Sequence, residues 1–571
     1  MKHSIRRLPM LWRSTRLMRR WYYARVGAYP DWGRVLERDG SQWAAALAAA
    51  RGGPRVLLVT SIGSYAHGVT LESALAVALT LRGAEVHTLL CDRALPACAE
   101  CEASLYPGMR RFVRRGPAGD LCRDCCWPAE RVYRGLGLTV HRYSEWITDE
   151  ERRAAASTAR AMPLDGVRDL RVDDLAIGEH AYAGALRFFA TGSLDGEPYR
   201  EAVLRRYVEA ALLTAHATRR LLREIGYSHA TFTHGIYVPW GIVGEVARRE
   251  GVPVSTWNVA YRKRRFIFSH NDTYHHTLMD EPASQWETLD LTPARERELM
   301  SYLASRREGL FDWIVFHRPT RQDPARMAAQ LGISPDRPVV GLLTNVSWDA
   351  QLHYPANTFP SMLDWLVQTV RYFGTRPDLQ LLMRVHPAEI SGFPVSRQPI
   401  LGELAKQIPA LPANVIVVPP ESGLSTYALM SLCNAAIIYG TKMGVELSSV
   451  GLPIIVAGEA WIRNKGLTSD ASTPAEYFRL LDGLPVAGRL PDAQIARARR
   501  YAYHFFFNRM IPLPFIEPKA GYPIYRLKLD SLDPLKPGAT PGLDVICDGI
   551  LHQRPFVMDE RTERAPALVT S

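Results

Sequence analysis

Between Arg384 and Gly458 the chain repeats one pattern three times: an apolar, strand-like run that stops at small, polar or charged residues. The first run ends in Arg384-Val385-His386-Pro387-Ala388-Glu389, the second (Ala435 to Tyr439) in Gly440-Thr441-Lys442, and the third, from Pro453, at Gly458. Short apolar runs alternating with helical stretches build a parallel, doubly wound sheet, and in such sheets ligands sit at the carboxyl ends of the strands. The pattern therefore predicts that the three ends share one rim. Gly440 and Thr441 precede a helix expected over Lys442 to Val450, whose first N–H groups and positive dipole end suit a phosphate. Glu446 falls one turn into that helix, within reach of a sugar or ribose hydroxyl. An ordinary βαβ unit with Gly440 as a tight turn explains the same residues without a ligand.

The alternation occurs in two series. Strands are expected at 55–60, 85–90, 138–143, 229–235 and 252–257, and again at 338–343, 379–386, 414–418, 435–439 and 453–457, with helices between them. At 571 residues the chain is too long for one core. The expectation is an α/β protein with two Rossmann-like, doubly wound domains: a basic arm over 1–50, a first domain over 51–290, a helical connection over 291–335, a second domain over 336–510, and a Pro-rich, extended tail over 511–571. Tyr261 to Arg265 reads as a solvated loop, or else as a clamp for a phosphate-bearing substrate. No apolar run approaches the ~18 residues of a membrane span, so the chain is expected to be soluble or peripheral.

The net charge of +11 is concentrated at one end. Residues 1–38 hold ten Lys or Arg against Asp31 and Glu37, a net +8, which leaves +3 for the remainder. A near-neutral body argues against nucleic acid as a partner. Within the arm, Leu8, Leu11, Trp12, Thr15, Met18 and Tyr22 recur at spacings of three and four among arginines, the pattern of a basic amphipathic helix that lies on an anionic membrane surface or packs on the protein body. Arg13, Arg16, Arg19 and Arg20 interrupt any secretory h-region, while an Arg-rich organellar presequence stays open.

Six of the eight cysteines lie between 91 and 126. Cys98-x2-Cys101 and Cys122-x2-Cys125 form two knuckles in an insertion at 91–128, with Cys91 and Cys126 as spare thiols. Two thiolates from each knuckle suit one tetrahedral ion, so structural zinc is expected; an iron–sulfur cluster takes the same ligands, and disulfides or unrelated buried thiols are the remaining readings.

The motif Arg384-Val385-His386-Pro387-Ala388-Glu389, with Gly440-Thr441 and Glu446, resembles the donor side of GT-B glycosyltransferases of bacterial capsule and surface-polysaccharide biosynthesis, in which a His-Pro pair lies at the nucleotide. Gly63 to Arg82 with the following Gly83-Ala84-Glu85-Val86-His87 is similar to the opening of the acceptor domain in many GT-B enzymes. The resemblance implies two facing Rossmann-like domains over roughly residues 50 to 510. The two-glutamate motif of retaining GT-B enzymes is not evident, and the cysteine array is not a general feature of the fold.

What the resemblance implies for chemistry can be assigned residue by residue. Gly440, Thr441 and Lys442 would seat the donor phosphate, with Arg384 and His386 meeting the charge that develops on it, and no catalytic metal is expected, in keeping with the lack of an Asp-x-Asp motif. His67, just beyond the first strand, stands where several inverting GT-B families place their base; His234 is the rival, and a backbone-bonded loop histidine is the plain alternative. Glu389 would hold a donor hydroxyl or orient His386, unless it is an exposed helix-start carboxylate. Glu72 is an acceptor-binding or solvent-facing carboxylate. No Gly-x-Ser-x-Gly elbow or Walker A loop is present.

The expected function is transfer of a sugar from a nucleotide-sugar to a lipid-linked or growing glycan, by a cytoplasmic enzyme peripheral to the inner face of the membrane through its basic arm. Two other readings stand beside it: a GT-B-fold nucleotide-sugar epimerase, and a non-catalytic metal-binding scaffold.

Overall fold

The computed structural model describes residues 27–106, 109–306, 311–313, 323–350, 352, 354, 356–392 and 394–558. The basic helix expected over Leu8 to Tyr22 lies outside them. Two compact units result, one drawn from residues up to 189, 194–274 and 509 onward, the other from 190–193 and 275–508. Among the described residues no helix is long and apolar enough to cross a membrane.

The first unit is built on a seven-stranded sheet. In chain order its strands are β1 (Arg55–Ser61), β2 (Glu85–Leu90), β3 (Thr139–Arg142), β4 (His229–Thr233), β5 (Val254–Val259), β6 (Arg265–His270) and a short β13 (Ile511–Pro512). The spatial order is β13-β6-β5-β4-β1-β2-β3. β1 to β5 pair in parallel, while β6 and β13 extend one edge antiparallel. Strand β6 is a departure from the reading of the sequence, since the Arg-rich turn after β5 masks a hairpin that returns through Phe266, Ile267 and Phe268, all buried.

Helix Ala66–Thr80 has no solvent-facing side, and all fifteen of its residues are buried. A helix buried all round is a core element, so Glu72, which the sequence left free to face solvent, is enclosed instead. Helix Trp32–Ala50 packs on this unit through Trp32, whose Nε1 donates to Ser73 Oγ at 3.1 Å, and Trp43, whose Nε1 donates to Leu136 O at 2.9 Å. The cysteine segment carries a helix over Gly119–Gly135, so Cys122 and Cys125 sit three apart on one helical face.

The C-terminal tail is more regular than expected. It adds β13, a hairpin of β14 (Ile516–Pro518) and β15 (Tyr525–Leu527), and a helix over Pro541–His552. That helix starts with Pro at its first turn, where a missing N–H costs nothing, and buries Leu543, Ile546, Cys547 and Ile550.

The second unit has a six-stranded, fully parallel sheet of β7 (Val339–Leu343), β8 (Gln380–Arg384), β9 (Val415–Val418), β10 (Ala435–Ile438), β11 (Ile454–Val456) and β12 (Ser469–Asp470). Its order is β12-β11-β10-β7-β8-β9. Strands covered on both faces read as continuous apolar runs, which is why these were visible in the sequence. Helix Met362–Gly374 covers one face with Trp365, Leu366, Val370 and Phe373 against Val340, Leu381 and Met383. Its start is fixed by Ser361, whose Oγ accepts the Asp364 N–H at 3.0 Å.

Candidate functional site

Strand order reverses once in each sheet, between β7 and β10 in the second unit and between β1 and β4 in the first. At such a switch point the connections leave in opposite directions and open a crevice at the carboxyl ends, the general ligand position of open α/β sheets.

In the second unit the crevice is bordered by Thr344 and Asn345 after β7, His386 after β8, and Gly440 to Lys442 after β10. His386 and Gly440 to Lys442 are half-buried, so the rim meets solvent. The buried Thr344 hydroxyl accepts the His386 N–H at 3.0 Å and ties the ends of β7 and β8 together. The His386 ring is fixed by its own turn, with Nδ1 accepting the Ala388 N–H at 3.1 Å. Nδ1 is therefore the unprotonated nitrogen and Nε2 carries the ring proton. Burial, helped by the charges of Lys442 and Arg384, pulls the imidazolium down to about 4. At neutral pH His386 is thus an uncharged Nε2–H donor.

The other sequence candidates have different situations. Arg384 is 2 % exposed and gives Nη1 to Pro419 O and Nη2 to Ser422 O, leaving Nε buried without a hydrogen-bond partner. Burial lowers it to about 10. Glu389 is buried and accepts the Ile400 N–H at 2.9 Å, which caps helix Ile400–Gln407 rather than standing exposed at a helix start.

Gly440 passes close to its neighbours: a Cβ there would stand 3.0 Å from Glu459 O and 3.3 Å from the Asn345 amide nitrogen. Thr441 Oγ1 accepts the Met443 N–H at 3.3 Å, and the helix that follows is short, Met443–Ser449. Glu446 is held by three partners: Lys442 Nζ and Arg306 Nε, both at 3.0 Å, and the Tyr427 hydroxyl at 2.6 Å. Arg306 also pairs with Asp312. Burial works to raise the Glu446 carboxyl, and the two cations outweigh it, leaving it at about 2. The Glu446 carboxylate is thus taken up by protein partners, Lys442 among them. Thr344 and Asn345 were missed in the sequence, although a polar pair directly after a buried strand was the available signal.

In the first unit the crevice lies among Ser61, Gly63 and Ser64 after β1 and His234 to Tyr237 after β4. Three residues that are not glycine adopt the left-handed region there: Ser61 (φ 50), His234 (φ 68) and Tyr237 (φ 66). Backbone strain of this kind gathers at sites where function sets the geometry. His234 is half-buried, and its N–H donates to Trp257 O at 2.8 Å. His67, by contrast, is 8 % exposed and enclosed by the rings of Tyr65, Tyr522 and Tyr525, with centroids 3.9, 5.6 and 5.7 Å away. Its Nδ1 has no hydrogen-bond partner, and burial pulls its imidazolium down to about 3. Beneath the crevice Glu72 accepts the Trp257 Nε1–H at 2.9 Å, and burial pushes its carboxyl up to about 7.

The cysteine segment meets the same loop. A Cβ on Gly63 would stand 2.3 Å from Cys125 O, and the Ser64 N–H donates to Cys125 Sγ at 3.2 Å. Cys98 and Cys101 bring their sulfurs to 3.8 Å, and the Cys101 N–H closes a turn onto Cys98 O at 2.9 Å. As the side chains stand, no three His, Cys, Asp or Glu among the described residues converge on a metal position.

No family model matches the chain, and no curated protein matches it. Among solved structures, the KpsC beta Kdo 2,4 transferase of Thermosulfurimonas dismutans is 15% identical, with 48% of this chain and 79% of that one covered at a TM-score of 0.31. The UDP-GlcNAc 2-epimerase of Neisseria meningitidis bound to UDP-GlcNAc is 9% identical over 79% of this chain and 97% of that one, TM-score 0.24. The glycotransferase of kitacinnamycin is 13% identical over 79% and 94%, TM-score 0.23. Likenesses this slight assign neither a fold family nor an activity.

Proposed function

We propose that the protein is a glycosyltransferase whose second unit binds a nucleotide-sugar at the β7–β10 switch point. The observation that carries this reading is His386: a neutral ring with its Nε2–H defined by the Nδ1 bond, on the same rim as Gly440 and Thr441. Transfer breaks the bond between the anomeric carbon and a phosphate oxygen and leaves negative charge on the departing nucleotide. A preorganised neutral donor meets such charge without itself having to change protonation state. Arg384, bound to backbone carbonyls, contributes positive potential behind the ring.

For the first unit we assign the acceptor side, with His234 in preference to His67 as the group that takes the acceptor hydroxyl proton. His234 reaches solvent at the switch point, whereas the aromatic enclosure of His67 disfavours the imidazolium that a base must become. The resemblance in the His-Pro motif supports a surface-polysaccharide glycan as acceptor, and the basic arm supports a station on an anionic membrane face.

The test is transfer of labelled sugar from UDP-, GDP-, CMP- and dTDP-sugars to lipid-linked glycan. The reading expects one donor to be consumed and His386→Ala to lower the rate by roughly 10²- to 10³-fold. A second sugar nucleotide formed without any acceptor would replace this reading with the epimerase.

A further inference from the structure

Outside the two crevices, the densest group of reactive side chains is the cysteine segment, and the glycosyl-transfer reading makes no use of it. We propose that Cys98, Cys101, Cys122 and Cys125 bind one zinc ion, and that this ion fastens the Ile62 to Tyr65 loop at the switch point of the first sheet.

Four observations support the site. The 3.8 Å between the Cys98 and Cys101 sulfurs matches the edge of a tetrahedron with metal–sulfur bonds of about 2.3 Å. The turn that sets this separation is closed by its own backbone bond and anchored from outside: the Tyr207 hydroxyl donates to Cys98 O at 3.1 Å, and the Ala99 N–H donates to Val238 O at 2.8 Å. The second pair, Cys122 and Cys125, shares one face of helix Gly119–Gly135. None of the four is in a disulfide. Closure of the site requires only that the two pairs draw together around an ion, which thiolate attraction for a soft divalent cation supplies.

The link to the loop is direct. Ser64 N–H on Cys125 Sγ is the kind of outer-shell hydrogen bond that steadies a metal thiolate, and the backbone contact between Gly63 and Cys125 leaves no room for slack. Loss of the ion would loosen the loop that borders the crevice while leaving the second unit untouched.

The experiment uses the full chain and does not depend on activity. Elemental analysis is expected to find one zinc per chain in the wild type and in Cys433→Ser, and near none in Cys98→Ser and Cys125→Ser. Should the serine variants fail to fold, a mercurial thiol reagent added to native wild type still has to release one zinc. With Co²⁺ as the probe, the chain should show a thiolate-to-metal charge-transfer band together with intense tetrahedral d–d bands. Chelation should raise hydrogen exchange in residues 62–65 and not in 339–345. A metal-free, folded wild type overturns the proposal, as does an iron–sulfur absorption spectrum, a Co²⁺ adduct without thiolate charge transfer, or unchanged exchange at 62–65 after chelation.

Discussion

Replacing Glu72 by Gln isolates the energetic cost of one buried carboxylate. The side chain is 1 % exposed, receives hydrogen bonds from Trp257 and Thr60, and has no ion-pair partner among the described residues. Burial therefore dominates and pushes it from an ordinary 4.5 to about 7. A carboxyl raised in this way holds its proton more tightly folded than unfolded. Its contribution to stability is complete below pH 4.5 and is lost as the pH rises through about 7. The interval corresponds to about 3 kcal/mol, at 1.36 kcal/mol per pH unit. Gln keeps the acceptor for Trp257 and cannot ionise, so the variant lacks this loss. Urea denaturation of wild type and Glu72→Gln, followed from about pH 5 to pH 8.5, should show two curves that nearly coincide at the acid end and separate as pH rises, with the variant more stable by about 3 kcal/mol at the alkaline end. A difference that stays constant across the range would mean that Glu72 titrates as an ordinary carboxyl, and the reasoning from burial would fail.

Three further outcomes are expected. Arg306→Ala takes the buried guanidinium from Asp312 and leaves Glu446 with Lys442 as its cation, and should cost the second unit about 3–5 kcal/mol in denaturant midpoint analysis, while in the wild type the Glu446 contribution disappears as pH falls from 4.5 toward about 2. His234→Phe should abolish transfer activity and His67→Phe should retain it, measured with a single donor at saturating acceptor; the reverse order would move the base to the enclosed ring. Removal of residues 2–26 should release the chain from anionic liposomes in flotation, with equal flotation of both forms excluding the arm as the anchor.

Much of the parallel framework was legible because its central strands are largely continuous apolar runs. Strands β1, β7, β8, β10 and β11 announced themselves in this way, and their polar ends marked the rims. What escaped reading depends on neighbours distant in the chain. Glu446 sits where a sugar ligand would be expected on spacing alone, but Arg306, 140 residues away, occupies it. Glu72 seemed free to face solvent until Trp257, 185 residues on, closed over it. Strand β6 was hidden by the charged turn before it. The tail helix was hidden by prolines, although Leu543, Ile546, Cys547 and Ile550 carry helical spacing in plain view. Thr344 shows the remaining gap: its place directly after a buried strand was visible, but its bond to the His386 N–H beyond the end of β8 depends on a residue 42 positions away.

The central claim, that the β7–β10 rim receives a nucleotide phosphate, is tested most directly by calorimetric titration of the full chain with UDP, GDP, CMP and dTDP. One of these is expected to bind the wild type, and His386→Ala should weaken that binding at least tenfold, about 1.4 kcal/mol, with its fold unchanged by circular dichroism. No binding of any nucleotide at millimolar concentration, or equal binding by wild type and His386→Ala, would contradict it.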